Sequence, residues 1–286
     1  MFKSAHAGKV VGNTLTHVFL TILAILWVAP LLWIVMESFN TNPSPAVSSF
    51  FPTHYTLNNY VQLWTQRNVM DFPSMFARTF IIAIFVCAIS VFFVLSVAFS
   101  MSRLRFGFRR VYMNLALVIG MFPSIMAVVA IYFILKAMNL TGSNTLLVVA
   151  LVIVYSAGSG AGFYVTKGYM DTIPMSLDEA AYLDGCTRWQ VFTKIILPVS
   201  RPMIVYQAIT AFLAPWLDYI LVSTVSGQSG FTVSQGLFTM ATGIDYMNTW
   251  FAKFAAGAVC VSVPIAILFI VMQRFYAESL GGAVKG

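Results

Sequence analysis

Apolar residues run along this chain in blocks far longer than a soluble core requires. Residues 14–36, 79–102, 111–135 and 254–273 contain no Asp, Glu, Lys or Arg. An uncharged stretch over 137–166 holds a further block from about residue 145. The run 203–225 is apolar with one charge, Asp218. A helix needs roughly 20 apolar residues to cross the hydrocarbon core of a bilayer. The pattern therefore predicts an all-α, polytopic membrane protein. Its six spans fall at about 14–36, 79–102, 111–135, 145–166, 203–225 and 254–273, in a single domain over 1–286. The first block is too long for the core of a signal peptide, and no small-x-small cleavage site follows it, so it is read as a retained span.

Composition agrees with this reading. Hydrophobic residues make up 59% of the 286 and charged residues 9%, where a soluble domain carries about 25% charged residues. The net charge of +7 does not point to nucleic acid, because the basic residues lie around apolar blocks and form no single patch. Cys87, Cys186 and Cys260 are far apart, as are His6, His17 and His54, so neither a disulfide framework nor a metal site is indicated. Six spans place both termini on one side. That side carries Lys3, Lys9, Arg103, Arg105, Arg109, Arg110, Lys167, Arg188, Lys194, Arg201, Arg274 and Lys285; the other carries Arg67, Arg78, Lys136 and Lys253. The excess marks the cytoplasmic face. The run Arg103, Arg105, Arg109, Arg110 is expected to set topology and to meet anionic lipid head groups.

Between the fourth and fifth spans, and so in the cytoplasm, lies SLDEAAYLDGCTRWQVFTKIILPVSRP, residues 176–202. Ser176 and Glu179 fit a capping box, as do Thr187 and Gln190. A first short helix should stop near Gly185, which suits a left-handed C-terminal position. A second should run to about Ile196 and end before Pro198. Ala180 and Ala181 are small enough to let another surface approach. Trp189, Phe192 and Ile196 recur at helical spacing and are expected to anchor the unit on the ends of the spans. Glu179 serves as a cap, as a docking group, or as both. Gly185 serves at least as a helix terminator.

The spaced pattern Glu179-Ala-Ala181, Gly185, Ile195, Leu197-Pro198 resembles the complete EAA loop of ABC importer permeases. MFPS at 121–124, TLNNYVQLW at 56–64 and the terminal GGAVKG at 281–286 extend the likeness over essentially the whole chain. Together they resemble the shorter permease subunit of a maltose-type, oligosaccharide-importing ABC system in the bacterial cell membrane, with the type I importer fold. The resemblance implies that Glu179, Ala180, Ala181, Asp184 and Gly185 couple the chain to an ATPase. It also implies two ATPase subunits, which carry the ATP and Mg, a second and different permease, and an extracellular sugar-binding protein. The chain itself would hold no cofactor.

Within the membrane, Asp218 is expected to face the bundle interior or a wet cavity, because a lone carboxylate in a span costs about 2.5–3.5 kcal/mol. It either borders the sugar pathway or holds a kink next to Pro215; Ser156 and Ser159 are further pathway candidates. Gly158 and Gly162 are expected to let helices approach closely. Pro123, Pro215 and Pro264 interrupt spans, which suits helices that rock between two arrangements. No GxxxxGK[ST] loop is present, so ATP hydrolysis is not expected of this chain. An ion-coupled secondary transporter is the alternative, though one intramembrane charge and no clear repeat fit it less well. The outer segment 226–250 is long for a connection, and in related permeases it reaches into the binding protein. The tail 281–286 is too poor in apolar residues to fold by itself, and in relatives a similar tail tucks between the ATPase subunits.

Overall fold

A computed structural model describes residues 2–42, 44, 51–67, 70–158, 162–227, 230–243 and 249–283. Its regular structure is helical, with one isolated antiparallel bridge between Asn40 and Tyr55. Among the described residues, four stretches are long and apolar enough to cross a membrane: Gly12–Glu37, Phe72–Arg103, Asn144–Asp171 and Phe251–Gln273. Two bent helix pairs bring the number to as many as six.

The chain divides into two compact units. The first comprises residues 1–66 and 240–260. Its helix α1, Phe2–Glu37, carries apolar residues on all sides over 18–36, where Leu26, Trp27 and Leu31 are each more than half exposed. Such a surface is unstable in water and suited to lipid. The helix ends in a polar knot. Glu37 is buried and accepts from Asn40 Nδ2 at 2.9 Å. In helix α2, Asn58–Thr65, Asn59 Nδ2 donates to the carbonyls of Ser38 (3.0 Å) and Asn40 (2.7 Å), and Tyr60 pairs with Ser38 at 2.7 Å. The TLNNYVQLW segment thus owes its place to satisfied buried groups.

The second unit comprises residues 67–239 and 261–286. Its central element is α3, Phe72–Arg103, started by Asp71, whose carboxylate accepts from the Ser74 hydroxyl and amide. Helices α6 (Asn144–Gly158), α7 (Phe163–Asp171) and α11 (Arg201–Leu217) all pack on α3. One core gathers Val94, Leu95, Phe99, Phe163, Met170, Phe192 and Ile196 near the α3 C-terminus. The other gathers Ile82, Val86, Leu147, Leu151, Val222 and Phe231 toward its N-terminus.

Two predicted spans are broken. Helices α4 (Arg109–Gly120) and α5 (Ser124–Ala137) meet in a bend of 104°. Pro123 causes it: the ring removes a donor and drives its neighbour Phe122 out of helical geometry. The fifth block splits into α11 and α12, Ile220–Ser226, at Asp218 and Tyr219. Helix α14, Phe251–Ala283, continues through the first residues of the 281–286 tail. Extending an existing helix needs no new nucleus, which the composition of the tail did not convey. Residues 284–286 lie outside the described residues.

Candidate functional site

The segment 176–202 folds as two short helices about a glycine joint, with a different beginning from the one expected. Helix α8 is Met175–Leu183, and Pro174 is its N-cap with φ −56° and ψ 134°. Proline's fixed φ starts the helix two residues early, so Ser176 falls inside the first turn and makes no cap bond. Glu179 is then too far along to close a box; it is exposed and forms no ion pair among the described residues.

At the other end, Gly185 takes φ +82°. The Cys186 amide donates to Ala181 O at 2.9 Å and the Gly185 amide to Tyr182 O at 3.0 Å. These are the two bonds of a Schellman termination, and they require a left-handed residue between them. The second helix opens as predicted: Thr187 Oγ1 accepts from the Gln190 amide (3.3 Å), and Gln190 Oε1 accepts from the Thr187 amide (2.7 Å). Helix α9 (Arg188–Val191) passes through a π turn at Phe192–Ile196 into α10 (Leu197–Val199). It therefore does not end before Pro198. The wider turn spares the carbonyl that the proline ring would otherwise strike.

One side of this unit is anchored and the other is free. Phe192 and Ile196 are buried, and Phe192 lies 4.8 Å from the Phe99 ring. Trp189, expected to anchor with them, is 60% exposed. Ala181, expected to be open, is buried, while Ala180 is exposed. The burial of Ala181 follows from the phase in which Asp178 turns inward, and the exposure of Trp189 from a core already filled by Phe192 and Ile196. Asp178 is only 2% exposed, and its Oδ2 lies 3.0 Å from Arg103 Nε. Burial pushes the Asp178 carboxyl above its ordinary range; the Arg103 guanidinium opposes that, and Glu179 adds to it. Arg103 is thus committed to the protein and does not face lipid. The outer face carries Glu179, Ala180, Tyr182, Leu183 (90% exposed), Asp184 and Trp189.

A second feature is a cavity of about 890 Å³ bordered by α3, α5, α6, α11 and α12. Most of its wall is apolar. Its polar groups include Ser90, Tyr155, Tyr206, Gln207, Thr210 and Asp218. Asp218 sits in the break between α11 and α12. Its Oδ1 accepts the Leu221 amide at 3.0 Å, its Oδ2 accepts the Tyr155 hydroxyl at 3.1 Å, and its carbonyl accepts Ser234 Oγ at 2.7 Å. The carboxylate thus holds the kink while bordering the cavity. Gln207 Nε2 donates to Thr166 Oγ1 (3.1 Å) and Gly162 O (3.3 Å).

Ser156 borders a separate, apolar cavity of about 400 Å³ with Ile89, Phe93 and Val152, so the structure does not join it to Asp218. Ser159 lies outside the described residues. Gly158 and Gly162 are not at a tight helix contact: a Cβ on Gly158 would meet nothing within 4 Å, and one on Gly162 would reach only the Gln207 amide at 3.5 Å. Tyr155 and Gln207 are uncharged members of apolar blocks, and a reading by charge passes over them. A polar residue recurring on the α11 face of Asp218 was the available signal for Gln207.

The outer segment is more than a connection. Helix α13, Val233–Thr242, is tied to α3 through its first residues. The Val233 amide donates to Thr79 Oγ1 (3.0 Å), Arg78 Nη2 donates to Gly230 O (3.3 Å), and the Arg78 guanidinium lies 4.8 Å from the Phe231 ring centre. A Cβ on Gly236 would come within 2.5 Å of Met75 Sδ, so glycine there lets Met75 lie close to the helix, and any larger residue must displace it. The turn before it begins at Gly227, with φ +60°; residues 228–229 and 244–248 lie outside the described residues.

Residues 95–278 match the family described as "Binding-protein-dependent transport system inner membrane component". The galactooligosaccharides transport system permease protein of Bacillus subtilis (strain 168) is 33% identical over 274 residues, 95% of each chain. The maltodextrin transport system permease protein of Streptococcus pneumoniae (strain ATCC BAA-255 / R6) is 34% identical over 279 residues, 96% of each chain. A chain in the crystal structure of a bacterial ABC transporter that imports the acidic polysaccharide alginate matches with a TM-score of 0.73 at 18% identity. That match covers 93% of this chain and 96% of the other, and it speaks for the fold.

Proposed function

We propose, because this chain belongs to the family of binding-protein-dependent transport system inner membrane components, that it is the permease subunit of an ATP-driven importer of oligosaccharides. It is a multi-pass membrane protein and not an enzyme. ATP and Mg are bound and used on two separate ATPase subunits. A second, different permease completes the pathway, and an external sugar-binding protein delivers the substrate. Both termini and the 176–202 segment face the cytoplasm, consistent with the distribution of Lys and Arg, and 1–286 acts as one transmembrane domain of six spans. An ion-coupled carrier finds no support among the relatives.

The observation that carries this reading is the two-faced α8–α9 unit. Its inner face is fixed by Ala181, Phe192 and Ile196, and its outer face presents Glu179, Ala180, Leu183, Asp184 and Trp189. An exposed Trp and Leu beside small and acidic residues make a docking surface, and the outer face seats in the ATPase. Gly185 fixes the angle between the two helices. When ATP closes the ATPase pair, the unit moves as one piece and drives the spans from inward-open to outward-open. The breaks at Pro123 and Asp218 are places where spans can bend. The cavity at Asp218 then receives the sugar; Tyr206 and Thr210, exposed on its α11 wall, offer hydroxyl groups to it. Solubilisation of native membranes and pull-down on this chain tests the assembly. An ATPase and a second permease should accompany it in stoichiometric amounts, and recovery of the chain without an ATPase under conditions that keep membrane complexes intact would reject the reading.

A further inference from the structure

Helix α8 carries the docking surface, yet very little holds it down. Of its residues only Asp178 and Ala181 are buried, and Ala181 contributes a single methyl group. The remaining attachment comes from the C-terminus of α3. Arg103, the last residue of that helix, engages three groups with one guanidinium: it donates to the Ile173 carbonyl (2.9 Å from Nη2) and to Met175 Sδ (3.0 Å from Nη1), and its Nε lies 3.0 Å from Asp178 Oδ2 in an ion pair that lacks hydrogen-bond geometry. Its side chain is 3% exposed. The other oxygen of Asp178 is buried without a hydrogen-bond donor among the described residues, so Arg103 is the group that holds this charge. Next to it, Ser102 Oγ donates to Asp171 Oδ1 at 2.6 Å. The last two residues of α3 therefore grip both sides of the link between α7 and α8.

We infer that Arg103 is the positioning residue of the coupling unit, a three-point clamp through which displacement of α8 becomes displacement of α3. The inference rests on the permease reading above and adds the path by which force leaves the docking helix. A rigid link is what such transmission needs: a planar guanidinium held by two hydrogen bonds and one buried ion pair fixes orientation as well as distance, and a lysine in its place would keep the charge but not the fork. Removing one member of a buried pair leaves the other charge unpaired, whereas replacing both by apolar groups is often tolerated by the fold. That contrast separates a positioning role from a structural one.

The test uses the assembled transporter with Arg103→Lys and the double variant Arg103→Met/Asp178→Leu. Both should assemble with the ATPase and hydrolyse ATP, while sugar imported per ATP falls about fivefold or more, the lower end of typical coupling between sites. Import per ATP at the wild-type level in the double variant would overturn the proposal, because packing alone would then suffice. A second measurement needs no ATPase. Spin labels at Arg105 and Leu183 in the full chain should report one narrow distance, broadened in both variants; an unchanged distribution in the double variant also overturns it. If the wild-type complex imported no sugar with ATP, the permease reading would fail, and the distance measurement would still decide the clamp.

Discussion

Gly185 offers a clean separation of backbone from surface effects. A Cβ added there would meet nothing within 4 Å, so substitution brings no clash within the chain. What it brings is a side chain at φ +82°. Left-handed geometry costs an ordinary residue about 1–2 kcal/mol, and Asn, whose polar side chain bonds locally, tolerates it better. The Schellman bonds to Ala181 and Tyr182 depend on that geometry, so the cost falls on the angle between α8 and α9. One to two kcal/mol lowers the population of the native joint about 5–30-fold relative to competing conformations. Uptake by reconstituted transporter should therefore rank Gly, Asn, Ala, Val, with Gly185→Asn near wild type and Gly185→Val lowest. All four should insert in the membrane. Gly185→Trp combines the same strain with bulk at the partner surface and should be close to inactive. Ala matching Gly would refute the argument. So would Asn as impaired as Val, which would make the site a contact for the partner rather than a joint.

Leu183→Ser removes an exposed side chain and should leave thermal stability within about 0.5 kcal/mol of wild type; Trp189→Ala also loses the ring contact with Phe192 and should cost about 1 kcal/mol; both should lose ATPase binding in pull-down. Asp218→Leu abolishes the cap on Leu221 and the bond to Tyr155. Loss of buried hydrogen bonds costs about 1–3 kcal/mol, so its melting temperature and uptake should both fall, with Asp218→Asn intermediate. Gly236→Ala presses on the flexible end of the buried Met75 and should destabilise by about 1 kcal/mol, read by thermal denaturation; an unchanged melting temperature would mean that Met75 moves aside freely. Shortening 227–230 should weaken delivery of sugar from the binding protein while ATPase association persists. Deleting 281–286 should disturb ATPase coupling while binding-protein docking persists, and uptake, docking and ATPase assays on both variants separate the two ends.

The lipid-facing apolar blocks were legible because a span needs a long uncharged run and little else. The joint at Gly185 and the capping box at Thr187 were equally legible, since both are local. What escaped the sequence was decided by partners distant along the chain. Arg103 reads as a basic residue of a cytoplasmic loop, but its carboxylate stands at position 178. That one pair turns Asp178 inward and with it Ala181, one helical turn on, while Pro174 sets the start of the helix at Met175. Trp189 looked like an anchor by spacing alone, yet Phe192 and Ile196 already fill the core next to it. The outer segment was rich in small polar residues and read as a loop; Gly236 and Gln235 are instead packing and hydrogen-bonding residues of a helix tied to α3. Pro123 and Asp218 marked bends, but only the structure gave the 104° of the first.

As proposed, this chain moves sugar by a cycle driven from an attached ATPase. The most direct measurement is uptake of labelled oligosaccharides into proteoliposomes holding the complete complex, its binding protein and enclosed ATP, with and without ionophores that collapse ion gradients. Uptake should need ATP inside and the binding protein outside, and should be unaffected by ionophores. Uptake without ATP that is abolished by ionophores would contradict it.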